Sequence, residues 1–137
     1  MPGDLGPFAP LNMPIRELLF SFEGRIPRSI WWAASAILNF AWLLIFALLI
    51  NLSDAQPAAR MVLGPILIGL MLLVIWTNLA LHIKRLHDTG STGWFCLLAL
   101  IPYLGWLIVV LIYGFRRGTA GSNEYGADPL AASVPSP

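Results

Sequence analysis

Residues 94–115 read WFCLLALIPYLGWLIVVLIYGF, an apolar run without a charge, interrupted by Pro102 and Gly105. How this run meets a membrane decides the fold. As one helix it would extend about 33 Å at 1.5 Å per residue, enough for the ~30 Å hydrocarbon core of a bilayer. As a re-entrant hairpin turning at Pro102 and Gly105, it would return to the face it left, with two short halves. A kinked spanning helix is the preferred reading, because neighbouring helices can re-satisfy the backbone groups that a proline frees inside a span.

Outward from this run, the chain is that of a membrane protein. Its 137 residues are 58% apolar and 11% charged, with a mean hydropathy of +0.75, against about 25% charged residues in soluble domains. A net charge of +1 gives no reason to expect nucleic acid as a partner. The single cysteine, Cys96, has no intrachain partner for a disulfide, and packing is its expected role. No basic segment followed by a short apolar stretch and a small-residue cleavage site precedes the first long apolar run, so a removable signal peptide is not expected.

Residues 29–50 and 61–83 form two further runs of spanning length, free of charge when His82 is neutral. Before them, Ile15, Leu18, Leu19 and Phe22 recur at helical spacing, which predicts a short amphipathic interfacial helix over 14–23 ending at Gly24. The expected fold is thus an all-α membrane protein in one domain, 1–137. It has three transmembrane helices near 29–50, 61–83 and 94–115, the interfacial helix, and an irregular tail at 116–137 rich in Gly, Pro and Ser. The alternative has two spans plus the hairpin at 94–115.

Orientation follows lysine and arginine in the short flanking segments. With three spans, Arg16, Arg25, Arg28, Lys84 and Arg85 share one side and Arg60, Arg116 and Arg117 the other, which places the N-terminus in the cytoplasm. The hairpin would move Arg116 and Arg117 to the first side, a sharper asymmetry of seven to one.

Within the spans, Ser35 and Asn39 lie on one helical face and Asn78 and His82 on another. Helices joined by about ten residues pack as antiparallel neighbours, so these polar faces are predicted to meet. Helix-to-helix hydrogen bonding is the simplest role for them; a polar pocket is the functional alternative. The spans contain no Asp or Glu, so the carboxylate relay usual in proton-coupled transporters is missing.

The densest polar stretch is RLHDTGSTGW, Arg85 to Trp94. Its Asp-Thr-Gly matches one half of an aspartic protease site, but two such carboxylates on β-hairpins are needed for that chemistry. His87 and Asp88 are adjacent and lack a nucleophile setting, and His82 and His87 are five residues apart rather than at metal-ligand spacing. No catalytic residue, metal or cofactor is therefore assigned. A structural account covers each residue type: cations at a helix end, Gly90 in the turn, Thr92 as a cap, and Trp94 at the interface. Asp88 is expected to pair with Arg25, Arg28 or Arg85. The candidate site is a headgroup- or partner-binding cluster of Arg25, Arg28, Lys84, Arg85, His87 and Asp88.

Taken together, three motifs resemble a known family. Phe22-Glu23-Gly24-Arg25-Ile26-Pro27-Arg28 with Trp31-Trp32 is similar to the opening of the domain of unknown function 805 family, small bacterial inner-membrane proteins. Lys84-Arg85-Leu86-His87-Asp88 with Gly93-Trp94 resembles its central motif. Gly118-Thr119, Gly121, Asn123, Tyr125-Gly126 and Asp128-Pro129 resemble its closing tail. The similarity runs from about Leu18 to Pro129. Ser91 stands where the family commonly has a basic residue, and Thr92 where it usually has serine, which weakens a phosphate-binding role for that turn. The resemblance implies a multi-pass protein of the bacterial plasma membrane and supplies no activity.

The leading expectation is a non-enzymatic membrane protein that binds anionic lipid headgroups or a protein partner, with a homo-oligomer among the options. A small transporter or channel component, and a lipid-modifying enzyme using His87 and Asp88, are the alternatives.

Overall fold

A computed structural model of the chain describes residues 13–55, 57–101 and 104–131. Helix α1 (Ile15–Phe20) leads into an extended stretch, then α2 (Arg28–Ala55), a single 3-10 turn at Pro57–Ala59, and α3 (Arg60–Asp88). A 3-10 segment (Gly93–Leu100) and α4 (Leu104–Phe115) follow, and the tail to Ala131 forms turns. Among the described residues all regular structure is helical apart from an isolated bridge between Asn123 and Gly126.

The two long helices have a direct cause in the sequence. Each has a long apolar stretch with its charged residues confined to the ends, and both are long and apolar enough to cross a membrane. They pack on one another as an antiparallel pair. Most of α2 beyond its first turn has exposed apolar side chains, among them Ile37, Phe40, Leu43 and Leu48. A helix exposing such residues along its length needs an apolar surround, which lipid supplies.

The single helix expected over 94–115 does not form. The run divides into the 3-10 segment and α4, joined at 101–104. Twelve residues of α4 reach about 18 Å, well short of a hydrocarbon core. Pro102 lies outside the described residues, but Gly105 shows why the chain can turn here. Its amide donates to the Ile101 carbonyl at 3.0 Å, and a Cβ on it would collide with the Leu98 carbonyl. Both ends of the run consequently lie beside the last turn of α3. Gly93 sits against Ile83, and the carbonyls of Tyr113 and Arg116 accept hydrogen bonds from Arg85.

The remaining corrections are local. The amphipathic segment is helical only over Ile15–Phe20, shorter than 14–23. Thr92 occupies the cap position of the 3-10 segment, but its backbone carbonyl rather than its side chain bonds Phe95. The tail, expected to be irregular, forms turns and the one bridge among its described residues, yet it is tied to the helices at several points described below.

Two apolar clusters hold these elements. Ile26, Trp31 and Leu81 are buried together with Leu18, Ala34 and Leu38 against them, joining α1, α2 and α3. Leu86, Val109 and Tyr113 are buried with Cys96 and Leu98, docking the 3-10 segment and α4 on α3. Cys96 is thus a packing residue, as expected.

Candidate functional site

The last turn of α3 carries Lys84, Arg85, His87 and Asp88, and each of the first two is 0% exposed. Burying a cation is costly unless hydrogen bonds and opposite charge replace water. Here the replacements come from three other segments. Lys84 Nζ donates to the Glu17 and Leu18 carbonyls, the latter at 2.8 Å, and so pins α1 to α3. Arg85 donates through Nε to Tyr113 O at 2.7 Å and through Nη2 to Arg116 O, capping the C-terminal end of α4.

Asp88 stands at the centre. Arg85 Nη1 donates to Oδ2, while Arg25 reaches Oδ1 from Nε at 3.3 Å and from Nη2 at 3.2 Å. Arg25 spends its remaining donors on the tail: Thr119 O at 2.6 Å, Gly121 O at 2.7 Å and Gly126 O at 3.2 Å. Two guanidinium groups thus bracket one carboxylate, and backbone carbonyls take up the rest of their donor capacity. Asp88 also holds the tail by its backbone, accepting from Thr119 N at 2.8 Å. Gly118 completes the fit, since a Cβ there would crowd Asp88 Cγ at 2.7 Å and Oδ1 at 2.9 Å.

His87 takes part through both ring and backbone. Its ring stacks on Tyr125 with centroids 3.9 Å apart and planes at 1°, and its Nδ1 lies 3.3 Å from the Gly24 carbonyl. Asn123 Nδ2 donates to His87 O and to Thr119 Oγ1, each at 2.9 Å. Further along, Asp128 accepts from the backbone amides of Gly121 and Leu130, both at 2.9 Å, and these donors hold its carboxyl below the usual carboxylate range. The turn after α3 is closed by Gly90 in the left-handed region, with φ of 70°.

Of the six cluster residues read from sequence, four, Arg25, Arg85, His87 and Asp88, are joined directly or through the tail in this clamp, while Lys84 ties α1 to α3 instead. Asp88 pairs with Arg25 and Arg85, two of the three partners proposed for it. Arg28 stands apart. It is exposed, and with Arg117 it lines an open pocket of about 490 Å³ at the N-terminal end of α2. Arg85 and Asp88 form part of the wall, together with Ser29, Thr119 and Asp128.

The intramembrane polar residues also come together. Asn39 Nδ2 donates to Asn78 Oδ1 at 3.1 Å and to Ser35 O at 2.7 Å, while His82 Nδ1 lies 2.6 Å from Asn78 O and its ring meets Trp31 edge-on. The polar faces of α2 and α3 therefore do meet. The match is Asn39 to Asn78, and the Ser35 hydroxyl is buried without a partner among the described residues.

Sequence reasoning left out Ser29, which has no charge to mark it, and also Arg117 and Thr119, because the three-span reading put the tail on the opposite side of the membrane. The seven-to-one charge asymmetry of the hairpin was the signal that could have found them.

Two helices of membrane-crossing length, clamped at one end by a polar knot of buried arginines, define a small helical integral membrane protein. Residues 19–127 match the family described as protein of unknown function DUF805, and the chain belongs to it. Inner membrane protein YhaH of Escherichia coli K12 is 32% identical over 108 residues, covering 79% of this chain and 86% of that protein. Inner membrane protein YhaI of the same strain is 37% identical over 112 residues, covering 82% and 88%. Uncharacterized protein YiiR, also of that strain, is 30% identical over 141 residues, covering 85% and 90%. No solved structure matches the chain. The expected family holds, and placement in an inner membrane agrees with the names of these relatives and with the two helices of spanning length.

Proposed function

We propose that the protein is a non-enzymatic inner-membrane protein that binds an anionic phospholipid headgroup in the pocket between Arg28 and Arg117. The observation that carries this reading is the difference between two sets of cations. Arg25, Lys84 and Arg85 are buried and committed to internal acceptors, whereas Arg28 and Arg117 are exposed, make no ion pair among the described residues, and face one cavity. The committed set builds the fold and the free set binds ligand.

Three features support a phosphate group as the ligand. The pocket wall includes the first turn of α2, where backbone amides are not used by the helix and the dipole favours an anion. The Ser29 hydroxyl adds a donor. Three arginines line the pocket against two aspartates, and one of those, Asp88, is neutralised by its own pair of guanidinium groups.

The same reading sets the membrane disposition. α2 and α3 cross the bilayer, and residues 93–115 dip into it as a re-entrant hairpin. α1, anchored by Lys84, lies in the interface. Seven of the eight cations then flank one end of the pair and only Arg60 the other, which makes the clamped end cytoplasmic. The pocket opens at the depth of the headgroups of the inner leaflet, where anionic lipid is concentrated.

The test is binding of the purified full chain to nanodiscs containing phosphatidylglycerol against nanodiscs of phosphatidylcholine. Arg28→Gln with Arg117→Gln is expected to remove most of the preference for phosphatidylglycerol, about 1 kcal/mol per arginine, with the folded state intact. An unchanged preference in the double variant contradicts the reading.

A further inference from the structure

We infer that the α2–α3 pair is one half of a two-fold homodimer, joined in the middle of the bilayer by reciprocal hydrogen bonds between Asn39 of one copy and Asn78 of the other. The starting point is depth. Asn39 lies eleven residues beyond the start of α2 at Arg28, about 16 Å along the axis. That is close to the midplane of a hydrocarbon core of ~30 Å. Asn78 is at the same depth, because the two amides are in hydrogen-bond contact at 3.1 Å.

The second observation is what these amides leave unused. Asn39 spends both N–H groups, on Ser35 O and on Asn78 Oδ1, and its own amide oxygen accepts nothing among the described residues. Asn78 spends one N–H on Val74 O at 2.9 Å and keeps the other. One side chain therefore offers a spare acceptor and its neighbour a spare donor. Asn39 is exposed and Asn78 half-buried, so the patch is open at the surface of the helix pair. Lipid chains can neither donate nor accept, so this patch is out of place against lipid.

A second copy supplies what is missing. Every copy inserts in the same orientation, so a two-fold axis along the membrane normal preserves depth. It brings Asn39 of each copy level with Asn78 of the other. The spare acceptor then meets the spare donor twice, as an isologous contact requires. A helix from an unrelated protein would need a matching donor and acceptor at this one depth, whereas the chain itself already has them. The small exposed residue Ala36, one turn before Asn39, permits close approach on the same side.

The dimer is independent of headgroup binding, being built from other residues at the other end of the hydrocarbon half-layer. Its test is the copy number and affinity of the full-length chain in liposomes, read by energy transfer between labelled copies as lipid dilutes the protein. The expected result is a two-copy complex. Asn39→Leu and Asn78→Leu should each weaken it about tenfold or more, and the double variant should be no worse than additive in energy. To separate loss of association from loss of folding, each variant is also assayed for protease resistance of the tail, which reports the Arg25–Asp88 clamp far from this site. Oxidative cross-linking of Leu43→Cys, an exposed position one turn beyond Asn39, gives a second readout in native membranes. It should trap a dimer that the parent chain, with Cys96 alone, does not form. A monomer at every dilution, a ring of three or more copies, or a dimer whose affinity survives both asparagine substitutions would overturn the inference.

Discussion

Asp88→Asn is expected to cost about 3–5 kcal/mol, the range for removing one partner from a buried charge cluster. The carboxylate is 4% exposed at the side chain and neutralises Arg25 and Arg85, themselves 1% and 0% exposed. An asparagine of the same size offers one oxygen and an amide that can only donate. At least one guanidinium then faces an N–H group while almost fully buried. The backbone carbonyls of Tyr113, Arg116, Thr119 and Gly121 cannot supply the missing negative charge. Because Asp88 joins the end of α3 to the extended stretch before α2 and to the tail, the loss spreads to all three. Unfolding of the purified protein by denaturant in mixed micelles would give the magnitude. Limited proteolysis should show the tail cut after residue 118 at a far higher rate than in the parent. A cost below about 1 kcal/mol would mean that the clamp is not the centre of the fold.

Gly105→Ala is the second large effect. The added Cβ would run into the Leu98 carbonyl oxygen, lie 2.8 Å from the Leu98 carbonyl carbon and lie 3.0 Å from Ile101 Cβ. Leu98 cannot move aside by a rotamer change, because the atoms met first are backbone. The connection between the 3-10 segment and α4 has to open, which undoes packing of Val109 and Tyr113 on Leu86. About 3 kcal/mol, the upper part of the range for overpacking, is expected. Gly64→Ala is the matched control. Nothing lies within 4 Å of its added Cβ, so the substitution should stabilise α3 by roughly 0.5–1 kcal/mol. Opposite signs for the two glycines in the same denaturation assay are the expected result. Equal effects would mean that residues 94–115 do not make this tight turn.

The two long helices were legible because uninterrupted apolar runs bounded by charge admit few other readings. Asn39 meeting Asn78 was close to legible: helical spacing and a short connection fix which faces oppose, though not which pair is level. The division of residues 94–115 was harder. A proline within a spanning helix and a proline at a hairpin turn give the same local pattern, and the choice rests on a backbone approach, Gly105 to Leu98, that no spacing rule encodes.

That one misplacement hid the site. With the tail on the far side, Arg25, Arg28, Lys84 and Arg85 look like a single basic surface. With the tail returned, Thr119, Gly121 and Gly126 absorb Arg25, and α4 absorbs Arg85. Only Arg28 keeps its charge free, and it acquires Arg117 as a neighbour across the pocket. His87, placed in the basic cluster by sequence, is the stacking partner of Tyr125. A charge count per residue cannot distinguish an arginine that binds a ligand from one that binds the chain's own carbonyls. The tally by side came closer, since seven cations against one is the arrangement of the proposed membrane disposition.

The central claim is that both ends of the 94–115 run, and so all three motifs, lie on one face of the membrane. Paired reporter fusions test it most directly, one reporter that is active only in the cytoplasm and one active only in the periplasm, each placed after Ala131 and within the connection at 52–59. A cytoplasmic signal after Ala131 and a periplasmic signal in the connection are expected. A periplasmic signal at both positions would restore the third span and contradict the account.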